Sequence, residues 1–265
     1  MDFTIDFYSN QKSWIQFFKD KKDIERNIKF HNSWNNMFNE IFEMNDFINL
    51  KKYLKKIVIK NKNIKIYPYP NFLFSAFYLT RFDDIKVVFI GQDPYFNCEF
   101  YNNKIIPQAV GLSFSVPKKC KIPSSLLNIY KNLLNYNHLF FKPTNGDLSF
   151  WSCQGCLMLN TALTVIDGQK NIHSKLWVNI TNKIIKYISD NSKYVIFVLW
   201  GNPALKKKSL IDENKHDVII SSHPSGLSAH KSLKQYSSFN NQDHFGIINK
   251  LLTKNNKKNI IWQIQ

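Results

Sequence analysis

Four short apolar runs mark the chain from residue 85 onward: Ile85–Ile90, Cys156–Leu159, Tyr194–Trp200 and Asp217–Ile220, each ending at polar or glycine residues. Runs of this length and composition predict buried strands. Between them the apolar positions take helical spacing, around Ser125–Leu134, Trp177–Ser189 and Pro203–Leu210. Before them, to about Arg81, Phe38, Ile41, Phe42 and Phe47, and then Tyr53, Leu54 and Ile57, predict a mainly helical region. Strand alternating with helix predicts an α/β fold, with a central, about four-stranded, mostly parallel twisted sheet in a three-layer α/β/α arrangement. No repeat and no Gly/Ser/Pro-rich linker divides the chain. The 265 residues are therefore expected to form one domain, 1–265, with 1–65 a helical N-terminal extension or cap.

In a parallel sheet the segments that follow the strands emerge on one edge, where ligand sites form. After the first strand comes Gly91-Gln92-Asp93-Pro94-Tyr95, and after the second Asn160-Thr161-Ala162. Gly201-Asn202-Pro203 follows the third, and Ser221-Ser222-His223-Pro224-Ser225-Gly226-Leu227-Ser228 the fourth. Gly91 permits a sharp exit from its strand and Pro94 stiffens the turn, which leaves Asp93 on a rigid loop. Taken alone, Asp93 reads equally as a turn residue bonding its neighbours' amides, Asn160 as a strand-end residue and His223 as a turn residue before proline. Their convergence on one edge raises all three to candidates for chemistry.

Hydrophobic residues at 44% and aromatic residues at 15% exclude a disordered chain. No apolar run is long enough to cross a bilayer. The opening Met1-Asp2-Phe3-Thr4-Ile5-Asp6 lacks the basic start and apolar core of an export signal, so a cytoplasmic location (nuclear in a eukaryote) is expected. Thirty-six Lys plus Arg against 19 Asp plus Glu give a formal charge of +17, a field that attracts polyanions, nucleic acid above all. The abundance of Lys, Asn and Ile also matches an A+T-rich coding sequence, so the charge supports a nucleic-acid partner without establishing one. Cys153 and Cys156 form a Cys-x-x-Cys, a spacing used by zinc and redox sites. Cys98 and Cys120 supply no second close pair, so free thiols are expected.

Read together, the post-strand segments resemble the family-1 uracil-DNA glycosylases. The matching stretches are Gly91–Tyr95, Ala109–Val116, Pro123–Lys131, Gly146–Leu148 through Leu159–Val165, Leu199–Gly201 and His223–His230, in the family's order. Each is weak alone; several in order are specific. The resemblance covers roughly Tyr67 to the C-terminus. It implies hydrolysis of the N-glycosidic bond of uracil flipped out of single- or double-stranded DNA, leaving an abasic site for base excision repair. No cofactor or metal is expected, and a monomer is. A proteinaceous DNA-mimic inhibitor of the family is a further expected partner, and a membrane is not.

The resemblance also implies roles. Asp93 orients the attacking water and stabilises the cationic sugar, and His223 stabilises the departing uracil anion. Phe114 stacks on the flipped ring, Asn160 pairs with uracil O4 and N3–H, Tyr95 excludes the methyl group of thymine, and Gln92 offers backbone contacts. Leu227 wedges into the vacated stack, and Ser125, Ser225, Ser228 and Lys231 contact phosphates.

The chain departs from the family pattern at several places. Phe96 stands where a histidine is usual, Gly226 where a proline is, Asn202 where a serine is, and Lys231 where an arginine is. The segments 96–108 and 232–243 are longer than the family norm, the second of them a candidate for an extra DNA-facing loop. Two other functions stay open on sequence alone. One is a DNA-binding or replication-accessory subunit that kept the fold; the other is a sister-family glycosylase with wider base tolerance.

Overall fold

The computed structural model describes residues 10–264; the opening residues on which the expectation of no export signal rests lie outside this range. Helices α1 (Trp14–Lys19), α2 (Ile24–Asn27), α3 (Asn35–Glu43), α4 (Asn45–Lys60) and α5 (Ser75–Leu79) make up the first part, with a short strand β1 (Ile66–Tyr67) before α5. Their apolar faces turn inward, and Trp14, Phe38, Phe47, Leu50 and Leu54 join a single core cluster with the sheet residues.

Strand β2 (Val87–Gly91) leads to a hairpin of β3 (Cys98–Tyr101) and β4 (Lys104–Pro107), then to α6 (Ser124–Asn135) and α7 (Ser149–Cys153). Next come β5 (Cys156–Asn160), β6 (Val165–Ile166), the long helix α8 (Ser174–Asn191), β7 (Ile196–Trp200), the single turn α9 (Asn202–Leu205), β8 (Asp217–Ser221) and α10 (His244–Lys254). The order β5-β2-β7-β8 gives a four-stranded sheet with every pairing parallel, as the alternating pattern predicts. Strands β2, β5 and β7 are buried along their whole length, which explains why they read as continuous apolar runs. The chain passes from β2 outward to β5 and returns past β2 to β7. That reversal opens a crevice at the carboxyl end of β2.

Several expectations need correction. The first strand starts at Val87, because Ile85 closes a 3₁₀ turn onto Phe82. The helix expected over Pro203–Leu210 stops at Leu205 and resumes only as a 3₁₀ turn, Lys208–Leu210. The polar run Lys206-Lys207-Lys208-Ser209 offers no continuing apolar face, and Lys207 folds inward to bond Asn182 Oδ1 at 2.7 Å. The long segment after Tyr95 is a hairpin rather than a loop, turned by Asn102 and Asn103 at φ 48° and 58°. In 232–243, Phe239 is fully buried and stacks on His244 at 4.5 Å, so the aromatic end of that segment is core and not a DNA-facing surface. All four cysteines are free; Cys153 is exposed, whereas Cys156 is buried in β5.

Candidate active site

The crevice at the end of β2 is a pocket of about 160 Å³. Gln92, Asp93, Tyr95, Phe114, Ser125, Asn160 and His223 line it, so seven of the side chains singled out from sequence meet in one place. Ser225, Leu227, Ser228 and Lys231 lie outside the pocket, on the loop that leaves His223, with Leu227 84% exposed at its tip.

Register places the first pair. Gly91 and Asn160 are partners across β2 and β5, and the pairing runs on past the strands. Thr161 N–H donates to Gly91 O at 3.0 Å, while Ala162 N–H and Thr161 Oγ1 donate to Gln92 O at 2.9 and 2.7 Å. These bonds fix the loop that carries Asp93. Asn160 is nearly buried, yet no hydrogen bond to its side-chain amide is formed among the described residues. A buried amide with its donor and acceptor unclaimed at a pocket wall is poised to pair with a ligand.

Phe114 adopts φ +64°, a conformation unusual for a side chain of its size. Its ring lies 5.6 Å from Trp200 and 5.9 Å from His223, forming an aromatic wall. Tyr95 stands close by, its hydroxyl 3.4 Å from Phe114 O, and burial pushes its pKa up, so the phenol stays neutral.

The two candidate catalytic groups are tuned differently. Burial raises the pKa of Asp93 above 3.8, opposed by a backbone bond from Asn171 N–H to Oδ2 at 2.8 Å and by the charge of Lys170. Burial, and to a lesser degree the charge of Lys170, lowers His223 from 6.5 to about 4, so the ring is neutral at physiological pH. Its Nδ1 accepts from Ser225 N–H at 3.0 Å, which assigns the ring proton to Nε2. Farther along this loop, Ser225 and Ser228 share a hydroxyl–hydroxyl bond of 2.8 Å, and Ser228 Oγ donates to His223 O at 3.0 Å.

Two residues that sequence reading missed belong to the site, both from the segment between β6 and α8. Lys170 lines the pocket, and Asn171 bonds Asp93 through its backbone. The Asn171 side chain accepts from Gln92 Nε2 at 2.8 Å, or, with its amide nitrogen turned to Asp93, donates to the two carboxylate oxygens at 3.2 and 3.3 Å. Nothing in the local sequence marks these residues, because their partners lie almost eighty positions away. Among the described residues, no group of three His, Cys, Asp or Glu could hold a metal ion.

A carboxylate and a neutral imidazole facing one ring-walled pocket, on the carboxyl edge of a parallel sheet, define an enzyme acting on a planar heterocycle. A family model described as "Uracil DNA glycosylase superfamily" matches residues 78–253, and the chain belongs to that family. It is 42% identical over 238 residues to a uracil-DNA glycosylase of Fusobacterium nucleatum, spanning 89% of this chain and 97% of the relative. It is 41% identical to one of Borreliella burgdorferi, over 89% of this chain and 99% of that one. Among solved structures, mimivirus uracil-DNA glycosylase superposes with a TM-score of 0.89 at 37% identity, covering 96% of this chain and 95% of the other. A mimivirus UNG variant in complex with UGI gives 0.91 at 37% identity, covering 98% of each chain.

Proposed function

We propose that this uracil-DNA glycosylase cleaves the N1–C1′ bond of flipped deoxyuridine using Asp93 and His223 as its catalytic pair. The observation that carries this reading is that Asp93, Asn160, Phe114, Tyr95 and His223 line one pocket. As the bond breaks, its electron pair goes to uracil and positive charge builds on the sugar. The Asp93 carboxylate, braced by Asn171 N–H, faces that charge and orients the water whose oxygen bonds C1′. A neutral His223 donates from Nε2 to uracil O2, where negative charge collects, and it needs no proton of its own to be lost. The water's proton leaves to solvent or to the departing base.

Selection follows from the walls. The unclaimed amide of Asn160 matches O4 and N3–H of uracil and mismatches the corresponding edge of cytosine, and leaving a buried amide unpaired is costly. Tyr95 occupies the space that the methyl group of thymine would require. Leu227, at the exposed tip of its loop, fills the stack that the uracil vacates. Ser125 at the pocket rim, Ser225, Ser228 and Lys231 hold the flanking phosphates. A protein presenting an acidic, DNA-like edge would occupy the same groove, in line with a neighbouring structure described as a complex with UGI.

The test is direct. Purified protein is incubated with oligonucleotides carrying uracil or thymine, and abasic sites are then cut with alkali. Scission at uracil alone is expected. Absence of scission at high enzyme concentration would reject the reading. Retention of biological function by Asp93→Asn would instead favour the accessory-subunit alternative.

A further inference from the structure

Residues Cys98–Pro107 form a hairpin beside the pocket, and no step of the reaction uses it. It springs from Phe96 and returns toward Ala109, both of which line the pocket. Phe96 and Cys98 pack on the small cluster of Tyr67, Ala109 and Val165, so the base of the hairpin is fastened to the pocket wall. On its other side, Glu99 accepts from Lys121 N–H at 2.9 and 3.1 Å and from Gln108 Nε2 at 2.8 Å. Tyr101 receives Lys119 Nζ both at its hydroxyl, 3.0 Å away, and over its ring, 5.0 Å from the centroid. The Asn102–Asn103 turn, with both residues at positive φ, closes the end. Yet this braced element holds Phe100 76% exposed, opposite Ile105 on the paired strand.

We propose that Phe100 is a stacking platform for a base of the DNA strand that passes the pocket mouth, a few nucleotides from the uracil. The inference rests on DNA as the substrate. The surroundings specify the occupant. Lys104 stands on the hairpin, and Lys118, Lys119 and Lys121 lie on the segment leading to the rim residue Ser125. The hairpin's one acid, Glu99, is taken up by internal hydrogen bonds. The ring is exposed on a hairpin continuous with a nucleotide pocket, and Lys104 and Lys119, held by Asn10 and Tyr101 on the ribbon's opposite face, add positive charge to the same rim. Such an element fits single-stranded nucleic acid, since every base has a face to stack. A four-residue strand reaches about 13 Å, enough to touch a neighbouring nucleotide and too far to touch the uracil itself. Because the hairpin is rigid, the ring is already presented and little order is lost on binding.

The experiment compares wild type, Phe100→Ala and Phe100→Trp on a single strand of about twenty nucleotides and on a trinucleotide, each with uracil internal. On the long strand, Phe100→Ala should raise KM about fivefold to tenfold with kcat unchanged, and Phe100→Trp should restore it. On the trinucleotide the three proteins should match. All six native tryptophans are at most 3% exposed, so Phe100→Trp adds an isolated surface fluorophore. Its emission should be quenched by a saturating thymine-only strand, a readout that needs no turnover and stands even if uracil release were absent. An unchanged KM for Phe100→Ala on the long strand overturns the proposal. So does an unmoved Phe100→Trp emission at saturation. An equal KM rise on both substrates with a lowered melting temperature would assign Phe100 to folding and also overturn it.

Discussion

Gly91 and Asn160 touch across the β2–β5 pairing so closely that a Cβ on Gly91 would stand 2.2 Å from Asn160 Oδ1 and 2.8 Å from Ser113 Cβ. The glycine therefore sets where the Asn160 amide, the proposed reader of uracil, sits. Gly91→Ala should push that amide off its position and lower kcat/KM for uracil by about 10²-fold, the scale of one misplaced transition-state hydrogen bond. Steady-state kinetics on a uracil oligonucleotide check this, alongside circular dichroism to confirm that the sheet persists.

Asp93 is held ionised against the preference of its surroundings. Burial raises its pKa on folding, so at neutral pH the charged group destabilises the folded state relative to the unfolded chain. Asp93→Asn should therefore reduce activity by about 10²–10⁴-fold while raising the melting temperature at pH 7. A variant both inactive and less stable would contradict the desolvation argument.

Acid should weaken the protein through its histidines. His173, His223 and His244 are each lowered by burial from 6.5 to about 4. Between those values the unfolded chain binds more protons than the folded one, so stability falls as pH drops through that window. At its acid end the loss is on the order of 3 kcal/mol per histidine. Urea midpoints at pH 7 and pH 5 should differ clearly. His223 stays neutral well below pH 6.5, so its own titration should cut activity only toward pH 4, and the raised Asp93 should add to the acid loss.

Lys170 acts on both proposed catalytic groups, lowering the pKa of Asp93 and of His223. Lys170→Gln should raise both and move the acid limb of the pH–rate profile to higher pH. High salt should shrink the difference between the two proteins, since the lysine is exposed and its field is screened. A salt-independent difference would point to a structural effect instead.

At Gly226 a Cβ would meet nothing within 4 Å, and the residue does not have positive φ. Gly226→Pro should stiffen the Leu227 loop by about 0.4–1 kcal/mol through its unbound ensemble and lower KM on double-stranded substrate. The same restriction of the unfolded chain should raise the melting temperature by roughly 1–4 °C. A raised KM would mean that the loop must flex during insertion.

The sheet and its edge were legible because β2, β5 and β7 are buried on both faces and carry no polar interruption. Asp93, Asn160 and His223 were legible because each directly follows or ends a strand. The hairpin was not. Cys98, Glu99 and Tyr101 are all half-buried, so no two-residue alternation marks the strand, and the Asn102–Asn103 pair was the one local signal. Lys170 and Asn171 were hidden for another reason. Asn171 meets Asp93 across a separation of 78 residues, a contact that only the assembled sheet creates.

With Ser225 and Ser228 holding phosphates as proposed, the bond between them would set the character of the DNA grip. Each phosphate oxygen that claims one of these hydroxyls displaces a partner already in place, so docking swaps bonds instead of adding them. Such a loop would gain little tightness from ordinary backbone and could release and re-form as the protein scans. Lasting residence is then reserved for a nucleotide that enters the pocket.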